Sequence, residues 1–377
     1  MTHSLERVLR PCVRGKGTGH TVRKMIILGS RRSYNQCLSH LNRLGIRPVK
    51  AIPRCCMLVC HMDTRESWDA VQKHPAVKQV VHDARVRLHP SSAPLASRLP
   101  LADSLPWNIS RIGAPAAWKV TEGRGIRIGV IDTGIAKHPN LKVAGGTNTM
   151  GGSSYRDDNG HGTHVAGIIA ARGHACAQRG AAPRASLYAV KALDSSGSGY
   201  LSDIIEAIDW CISRRMHVIN MSLGLYGGPS SAALQHVIRK ASSRGIVIIA
   251  SAGNSGPSHA KLDEPAAFPQ TIAVAASNRN DRIASFSSRG AGLDLSAPGD
   301  RIRSTWLGGG YRILSGTSMA APHVTGGAAL LLAAYPKLRP AAVSCRLKRW
   351  ASKLPLYPAR TQGAGLLQLQ RIPQRHH

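Results

Sequence analysis

The stretch Ser315-Gly316-Thr317-Ser318-Met319-Ala320-Ala321-Pro322-His323-Val324 places a serine among small residues, just before a long apolar run. The apolar run, residues 325–335, predicts a helix. Small neighbours allow another chain to approach the serine hydroxyl closely. A helix N-terminus beside Ser318 would offer N–H groups to a developing negative charge. The same residues also fit an ordinary helix N-cap, so this stretch alone leaves both interpretations open.

The composition indicates a globular protein with a large excess of positive charge. Its 377 residues are 43% hydrophobic and include 38 glycines, which suits one large domain and a small one. The chain has 50 Lys and Arg against 19 Asp and Glu, a formal charge of +31 that favours acidic partners, anionic surfaces or nucleic acid. Because the basic residues are spread along a chain with only 2 Phe, we interpret them as solvated surface and expect no dedicated nucleic-acid face.

Targeting signals and cysteines bear on the compartment. Residues 1–10 contain no apolar run of signal-peptide length, so the sequence as written predicts a cytoplasmic protein, and no stretch is apolar enough for a membrane span. The cysteines do not form a disulfide pattern and are expected to be free thiols. Cys55, Cys56, Cys60 and His61 are a conceivable metal set, but strand side chains alternate between faces, so we predict no metal site there.

Pattern changes divide the chain into five parts. Residues 1–23 are basic and expected to be disordered. Residues 24–89 follow a βαββαβ order, which predicts a small α+β ferredoxin-like domain, and the Pro-containing residues 90–106 predict a linker. Residues 107–350 alternate apolar strands with helices, which predicts an α/β fold with a doubly wound, mainly parallel sheet. Residues 351–377 are expected to be a basic tail.

Three further side chains stand where chemistry is plausible. Asp132 ends the apolar strand predicted at residues 126–132, where a carboxylate can orient a histidine or simply form a turn. His161 lies between glycines at a predicted helix start and can act as a general base, whereas His164, one turn on among apolar residues, is expected to be structural. Asn254 follows another apolar strand and can donate to an oxyanion or form a turn.

The residues at 130–134 (VIDTG), 161–167 (HGTHVAG) and 316–323 (GTSMAAPH) closely resemble the three signature blocks of the subtilisin-like serine proteases. Their Asp, His, Ser order is that of subtilisin. The resemblance covers about residues 105–340. It implies a serine endopeptidase that hydrolyses peptide bonds in proteins through an acyl-enzyme and needs no cofactor for the chemistry.

By this resemblance, Asp132 orients the imidazole, His161 is the base and Ser318 is the nucleophile. Asn254 and the backbone of Ser318 would bind the oxyanion. A peptide substrate would add as a strand between two edges and place one side chain in a pocket. The residues implied in substrate binding are Ser198 and Gly199 on one edge, Ser222, Leu223 and Gly224 on the other, and Ser251, Ala252 and Gly253 around the pocket.

Two departures from the family pattern concern specificity and calcium. Asp263 and Glu264 stand where the family forms the pocket floor; we hypothesise that one of them favours Arg or Lys before the scissile bond, the alternative being a solvated loop turn. Calcium is a family structural ion, but Asn140 replaces a carboxylate and residues 172–178 include Arg and His, so we expect no tight site and leave weaker ones open.

Residues 24–89 resemble the family's propeptide, which serves as folding template and intramolecular inhibitor. Its tail, about residues 85–104, would cross the cleft and be cut by Ser318, with the maturation site between about 85 and 106. This makes the chain a self-processing zymogen, expected to be a monomer, with secretion as the family-based alternative to the cytoplasm. The rivals are a catalytically idle binding scaffold, against which the complete residue set argues, and a basic protein that binds nucleic acid or anionic surfaces.

Overall fold

A small antiparallel sheet covered by helices forms the first part of the computed structural model, which describes residues 4–89, 92–95, 105–173, 178–225, 230–258 and 261–372. Its elements are α1 (Leu5–Cys12), β1 (Val13–Arg14), β2 (Thr21–Leu28), α2 (Arg31–Arg43), β3 (Lys50–Ile52), β4 (Met57–Asp63), α3 (Asp69–Gln72) and β5 (Val77–His82). The strand order is β1-β4-β2-β5, with β3 beside β4. From β2 to β5 the chain thus has a split βαβ order.

The beginning of the chain differs from the expectation of disorder. Within residues 1–23, α1 and β1 are formed, and Leu5, Leu9 and Cys12 are buried in the same core as Leu41. These apolar side chains recur at helical spacing and make one buried stripe on α1. The basic residues between them dominate the composition of residues 1–23, and for that reason disorder was predicted from the sequence and the apolar stripe was missed.

The rest of the described chain supplies the larger α/β unit. Its elements are β6 (Arg85–Arg87), β7 (Ser92–Leu95), α4 (Trp107–Arg111), α5 (Ala114–Trp118), β8 (Arg127–Asp132), β9 (Val143–Asn148), α6 (His161–Ala170), β10 (Ser186–Lys191), β11 (Ser198–Tyr200), α7 (Leu201–Ser213), β12 (Val218–Met221), α8 (Ala232–Ser243), β13 (Val247–Ser251), β14 (Thr271–Ser277), β15 (Leu295–Pro298), β16 (Ile302–Thr305), β17 (Tyr311–Ser315), α9 (Thr317–Ala334), α10 (Pro340–Trp350) and α11 (Ala359–Gln362).

Seven parallel strands in the order β15-β14-β13-β12-β8-β10-β9 form the central sheet. Helices α6 and α9 pack in the core on one face, and α7 and α8 pack in the core on the other. Because both faces are covered, a strand such as β13 is buried along its whole length, as its unbroken apolar sequence predicts. The doubly wound α/β prediction is confirmed.

Helix α9 sets the position of Ser318. It starts at Thr317, earlier than the apolar run at residues 325–335 predicts, and is buried almost all round. A Cβ on Gly326 would fall 2.5 Å from the Ala181 Cβ, so glycine there allows α9 to pack close to its neighbour. The helix therefore runs through the core and brings its N-terminal end to the carboxyl edge of the sheet.

The end of the chain also differs from the expectation of a basic tail. After α10, the chain folds back, and Leu366, Leu367 and Leu369 are fully buried against the large unit. The Leu367 N–H donates to the Ser296 carbonyl in β15 at 2.9 Å. Residues 351–372 are thus part of the folded domain, because short apolar pairs between basic residues are enough to anchor them.

Two strands link the small sheet to the large unit. β6, expected as a final strand of the first sheet, instead pairs antiparallel with β11, and β7 pairs antiparallel with β17. The predicted linker at residues 90–106 lies partly outside the described residues.

The described residues bear on the state of the cysteines, the presence of metal-ligand clusters and the presence of membrane-spanning helices. Seven cysteines are described and all are free, while Cys176 lies outside the described part. In the described ranges, no group of three or more His, Cys, Asp or Glu side chains is placed to hold a metal ion. Among the same residues, no helix combines the length and apolar character that a membrane crossing requires.

The packing of the C-terminal segment predicts a stability difference between two leucines. Replacing the fully buried Leu367 by alanine should destabilise the protein by about 2–5 kcal/mol because a cavity remains. Leu356 is 80% exposed, and Leu356→Ala should stay within about 0.5 kcal/mol. Thermal unfolding of both variants in a Ser318→Ala background, which prevents self-digestion, checks this. Equal melting temperatures would mean that residues 351–372 do not pack as described.

Candidate active site

A carboxylate and an imidazole meet where β8 ends and α6 begins. The Nδ1 atom of His161 lies 2.8 Å from Oδ1 and 3.0 Å from Oδ2 of Asp132, and Asp132 is fully buried. A Cβ on Gly162 would fall 2.1 Å from the Gly134 carbonyl oxygen, so glycine beside the histidine permits this close approach. Nδ1 therefore donates to Asp132, and this contact fixes the orientation of the ring.

A second buried carboxylate, Asp157, organises the start of α6. Its Oδ2 accepts hydrogen bonds from the backbone N–H of Thr163 at 2.9 Å and from the hydroxyl of Thr163. Its Oδ1 accepts from the Gly160 N–H at 2.9 Å and from the Thr133 hydroxyl at 2.8 Å. Asp157 thus caps the helix that carries His161 and ties it to the residue after Asp132.

The electrostatic surroundings favour a charged His161. Burial lowers the pKa of His161, but the charge and hydrogen bond of Asp132 raise it, and the charge of Asp157 adds to this. The net effect is a pKa above the ordinary value of 6.5. The Nε2 atom is buried and has no hydrogen-bond partner among the described residues. An imidazole held in this way can accept a proton at Nε2 and keep the resulting charge beside Asp132.

His164, on the next turn, has a different environment. Its Nε2 donates to the carbonyl oxygens of Ile302 and Arg312, both at 3.0 Å. Burial, followed by the neighbouring His161, lowers the pKa of His164 to about 3. His164 is therefore neutral and joins α6 to the hairpin of β16 and β17, as its apolar neighbours suggested.

Ser318 lies beside Ser222 near the N-terminal end of α9. Its Oγ donates to the Ser222 carbonyl at 3.2 Å, and its own carbonyl accepts from the Ser222 hydroxyl at 2.9 Å. Pro322, four residues on, lacks an N–H, so the hydroxyl of Ser222 replaces the missing helical bond. This contact fixes the backbone of Ser318.

The sheet brings the two pairs of side chains to one edge. Ser222 follows β12, which is the neighbour of β8, with Met221 opposite Ile131. Asp132 is the next residue after Ile131, so Asp132 and Ser222 end adjacent parallel strands. The structure thus gathers the three residues predicted for catalysis at the carboxyl edge of the sheet, where α/β sheets bind ligands.

Asn254 also lies at this edge, after β13. Its Oδ1 accepts from the Thr317 N–H at 2.9 Å and from the Thr317 hydroxyl at 2.8 Å. The same hydroxyl accepts from the Gly253 N–H at 3.2 Å. The amide plane is therefore fixed, with Nδ2 beside Gly316, where a Cβ would be 3.1 Å away. A side chain held in this way can donate to an oxygen above Ser318.

The two predicted substrate-binding edges hold a strand of the chain itself. Ser198 and Gly199 belong to β11, which pairs with β6. On the other side, the Gly224 N–H donates to the Arg87 carbonyl at 3.2 Å, and the Arg87 N–H donates to the Gly224 carbonyl at 3.4 Å. Strand β6 therefore lies between the edges as an added strand. Leu223, the remaining predicted residue of this edge, is buried in the core.

His89, which sequence analysis did not single out, lies in the predicted pocket. Its Nδ1 is 3.1 Å from the Ser251 hydroxyl and its Nε2 is 2.9 Å from Asp263 Oδ2. The second contact has ion-pair distance without a hydrogen-bond angle. A Cβ on Gly224 would fall 2.2 Å from His89 Nε2, and one on Gly253 would fall 2.4 Å from Asp263 Oδ2. Gly224 thus makes room for the ring, and Gly253 makes room for the carboxylate that faces it.

Of the other residues predicted around the pocket, Ala252 lies in its wall and Glu264 points away from it. Ala252 is buried, and its carbonyl accepts from the Asp263 N–H at 3.1 Å. Glu264 is directed elsewhere, since its Oε2 accepts from the Ser231 N–H at 2.9 Å. Of the two adjacent acids, only Asp263 contacts the ring in the pocket. The position of His89 before Pro90, in a tail predicted to cross the cleft, was the available signal.

The calcium position does not fit the family's carboxylate ligand. Asn140 carries no charge, its Oδ1 accepts from the Gly173 N–H at 2.7 Å, and its Nδ2 donates to the Gln178 carbonyl at 2.7 Å. Residues 174–177 of the adjoining loop lie outside the described part. The described side of this position is held by protein hydrogen bonds.

Comparison with known proteins identifies the family. A sequence model described as the subtilase family matches residues 123–365. An alkaline protease of Alkalihalobacillus alcalophilus is 42% identical over 292 residues, 77% of this chain and 72% of that protein. Subtilisin Savinase of Lederbergia lenta is 45% identical over 256 residues, 67% of this chain and 93% of that protein. Subtilisin E of Bacillus subtilis (strain 168) is 49% identical over 259 residues, 67% of this chain and 68% of that protein.

These matches confirm the resemblance found in the three sequence blocks. The chain belongs to the subtilase family and is a subtilisin-like serine endopeptidase.

Proposed function

We propose that Ser318 is the nucleophile, His161 the general base and Asp132 the group that orients the base. The observation that carries this proposal is the 2.8 Å contact of buried Asp132 with His161 Nδ1, at the sheet edge that also holds Ser318. With Nδ1 donating to Asp132, only Nε2 can receive a proton. When a substrate is bound, the serine hydroxyl has to leave the Ser222 carbonyl and donate to Nε2 instead.

The steps follow the bonds made and broken. Ser318 Oγ attacks the carbonyl carbon of the scissile bond while its proton moves to His161 Nε2. The carbonyl oxygen, now negative, is held by Asn254 Nδ2 and the Ser318 N–H. His161 then gives its proton to the leaving amine, the C–N bond breaks, and an acyl-enzyme remains. Water repeats the sequence with the same base and releases the carboxylate product and Ser318.

The residues before 107 act as an intramolecular inhibitor in this proposal. Strand β6 already occupies the position of a substrate strand, and His89 fills the pocket for the residue before the scissile bond. The N-terminal domain also contacts α7 directly, since Arg23 pairs with Asp83 at 2.8 Å and Asp83 accepts from the Ser202 N–H at 2.8 Å. Self-cleavage between about residues 85 and 106 would then convert a zymogen into the mature enzyme.

A basic residue before the scissile bond is the specificity we propose. Asp263 places a carboxylate, 12% exposed at its side chain, inside the pocket, with its Oδ2 2.9 Å from Nε2 of His89. A lysine or arginine in place of His89 would bring a permanent charge to this carboxylate. A leucine there would leave Asp263 without a partner in a desolvated site, which is unfavourable.

Removing the hydroxyl of Ser318 tests the nucleophile. Ser318→Ala should lower the hydrolysis of casein by about 10⁶-fold, the scale of such a loss in subtilisin, and should leave the chain uncleaved. N-terminal sequencing beside the wild type checks both results, and the wild-type sequence should begin between residues 85 and 106. Casein hydrolysis or processing that survives in the variant would exclude Ser318 as the nucleophile.

Neutralising Asp157 tests the electrostatic account of His161. The base has to be neutral to accept a proton, so kcat/KM falls as the pH falls through its pKa. Asp157→Asn removes a charge that raises the pKa of His161. The acid limb of the pH profile of kcat/KM should therefore move to lower pH. Asp158→Asn is the matched control, since Asp158 is 54% exposed and pairs with Lys191. An unchanged limb in Asp157→Asn, or an equal shift in both, contradicts the account.

Replacing Asp263 tests the pocket. The wild type should cleave Arg-ended and Lys-ended chromogenic peptides better than a Leu-ended one, and Asp263→Asn should reduce that advantage by about ten- to a hundred-fold, the value of a hydrogen bond to a charged group. Glu264→Gln, the adjacent control, should retain the advantage. Equal or better cleavage of the Leu-ended peptide by the wild type would end the hypothesis and leave the nucleophile assignment untouched.

A further inference from the structure

We propose that Tyr200 and Asp194 form a second cation subsite, which takes a substrate arginine four residues before the residue in the specificity pocket. The subsite belongs to the same cleft as the specificity pocket, so the inference rests on the proposed function. The ligand it fits is the guanidinium group of an extended peptide bound as an added strand.

The register of β6 on β11 defines the position. Arg85 lies opposite Tyr200, and Arg87 lies opposite Ser198. Backbone bonds hold both ends of the strand, since the Leu201 N–H donates to the Ala84 carbonyl and the Leu88 N–H donates to the Gly197 carbonyl, each at 2.9 Å. With His89 in the pocket, Arg85 is the residue four positions earlier. A substrate strand in the same register presents its corresponding side chain to Tyr200.

The Tyr200 ring provides a face for that side chain. The guanidinium carbon of Arg85 is 4.2 Å from the ring centroid, within the range of a cation–π contact. Arg23 of β2 lies 3.5 Å from the same centroid. Two guanidinium groups this close to one centroid cannot share a face, so they lie on opposite faces. Arg23 belongs to the N-terminal domain. The face of the Tyr200 ring that Arg85 covers is the one that a bound substrate strand would reach.

A carboxylate supports the same position. Asp194, in the turn before β11, accepts from the N–H groups of Ser196 and Ser198 at 2.8 and 3.0 Å. Burial raises the pKa of Asp194, but the hydrogen bond from the Ser196 hydroxyl, the two backbone hydrogen bonds and the charge of Arg85 outweigh burial, so the pKa lies below its ordinary value and the carboxylate is ionised. The ring and the carboxylate both lie on the catalytic unit and remain after removal of the N-terminal domain.

The contact is specific to one strand position. Arg87, two residues on, has the same charge and is also exposed, but among the described residues it makes no ring contact or ion pair. Positive charge in general therefore does not explain the placement of Arg85. Exposed cation–π contacts correspond to about a two- to five-fold change in an equilibrium or rate constant.

Matched peptides test the subsite on the full chain after it has processed itself. The peptides are Arg-Val-Arg-Leu-Arg, Ala-Val-Arg-Leu-Arg and Arg-Val-Ala-Leu-Arg, each with a fluorogenic amine after the last residue. The first should exceed the second about two- to five-fold in kcat/KM, and the third should lose less than the second. Equal values for the first two peptides, or an equal loss in both alanine peptides, overturn the subsite.

Variants of the enzyme test whether Tyr200 and Asp194 cause the preference for the first peptide. The advantage of the first peptide over the second should persist in Tyr200→Phe, which retains the ring, and disappear in Tyr200→Leu. Asp194→Asn, which retains the oxygen that holds the turn, should reduce it. Persistence in Tyr200→Leu overturns the inference. Failure to cleave any of the peptides would instead count against the proposed function, and so the two failures can be told apart.

A second measurement does not depend on catalysis. In the uncleaved Ser318→Ala chain, Arg85→Ala should raise the hydrogen-exchange rate of the β6 amides about two- to five-fold relative to Arg87→Ala, because the strand opens more readily. Equal exchange in the two variants contradicts the assignment of Tyr200 and Asp194 as a subsite.

Discussion

The contact between Asp132 and His161 is the interaction on which the site depends. Asp132 is fully buried, so its charge has to be satisfied by the protein, and it accepts from His161 Nδ1 and from the Thr133 N–H at 2.8 Å. The contact fixes which imidazole nitrogen is protonated and raises the pKa of the ring. It constrains the fold as well, because β8 and α6 have to meet with only the glycine hydrogen of Gly162 between them.

Two helices, α6 and α9, hold the residues around this contact in place. Asp157 caps α6 from one side, and α9 carries Ser318 to Ser222 from the other. Both arrangements need helix starts at the carboxyl edge of the parallel sheet, where the last strand residues converge. The same edge leaves an open groove between β11 and the residues after β12. An extended segment completes the hydrogen bonds of both sides, and in this chain the segment is its own β6.

Charge is distributed unevenly between the surface and the cleft. The chain carries a formal charge of +31, yet two of its 19 acidic residues, Asp194 and Asp263, lie along the groove that holds β6. Both contact or face basic groups of the segment, Arg85 and His89. In the proposed specificity, these carboxylates attract basic substrate residues, while the positive surface disfavours non-specific binding of cationic peptides.

Features of the fold that depend on local sequence patterns could be predicted from the sequence. Unbroken apolar strands indicated the parallel sheet, and the residue types around Asp132, His161 and Ser318 indicated the site, because each block combines a strand or helix end with the small residues needed there. Interactions between distant segments were missed. The stripe of Leu5 and Leu9 was concealed by basic neighbours, and the packing of Leu367 depends on a chain reversal that no local signal specifies. The place of His89 depends on the register of β6, which the strand pairing fixes and the pattern does not.

The protonation state of His161 is the direct test of its contact with Asp132. Nitrogen-15 NMR of the histidine-labelled Ser318→Ala chain, with His161 assigned by substitution, would report which ring nitrogen carries the proton and the pH at which the ring titrates. We expect a neutral ring protonated at Nδ1, a pKa above the ordinary value and loss of both features in Asp132→Ala. A neutral ring protonated at Nε2, or a pKa below the ordinary value, would contradict this expectation.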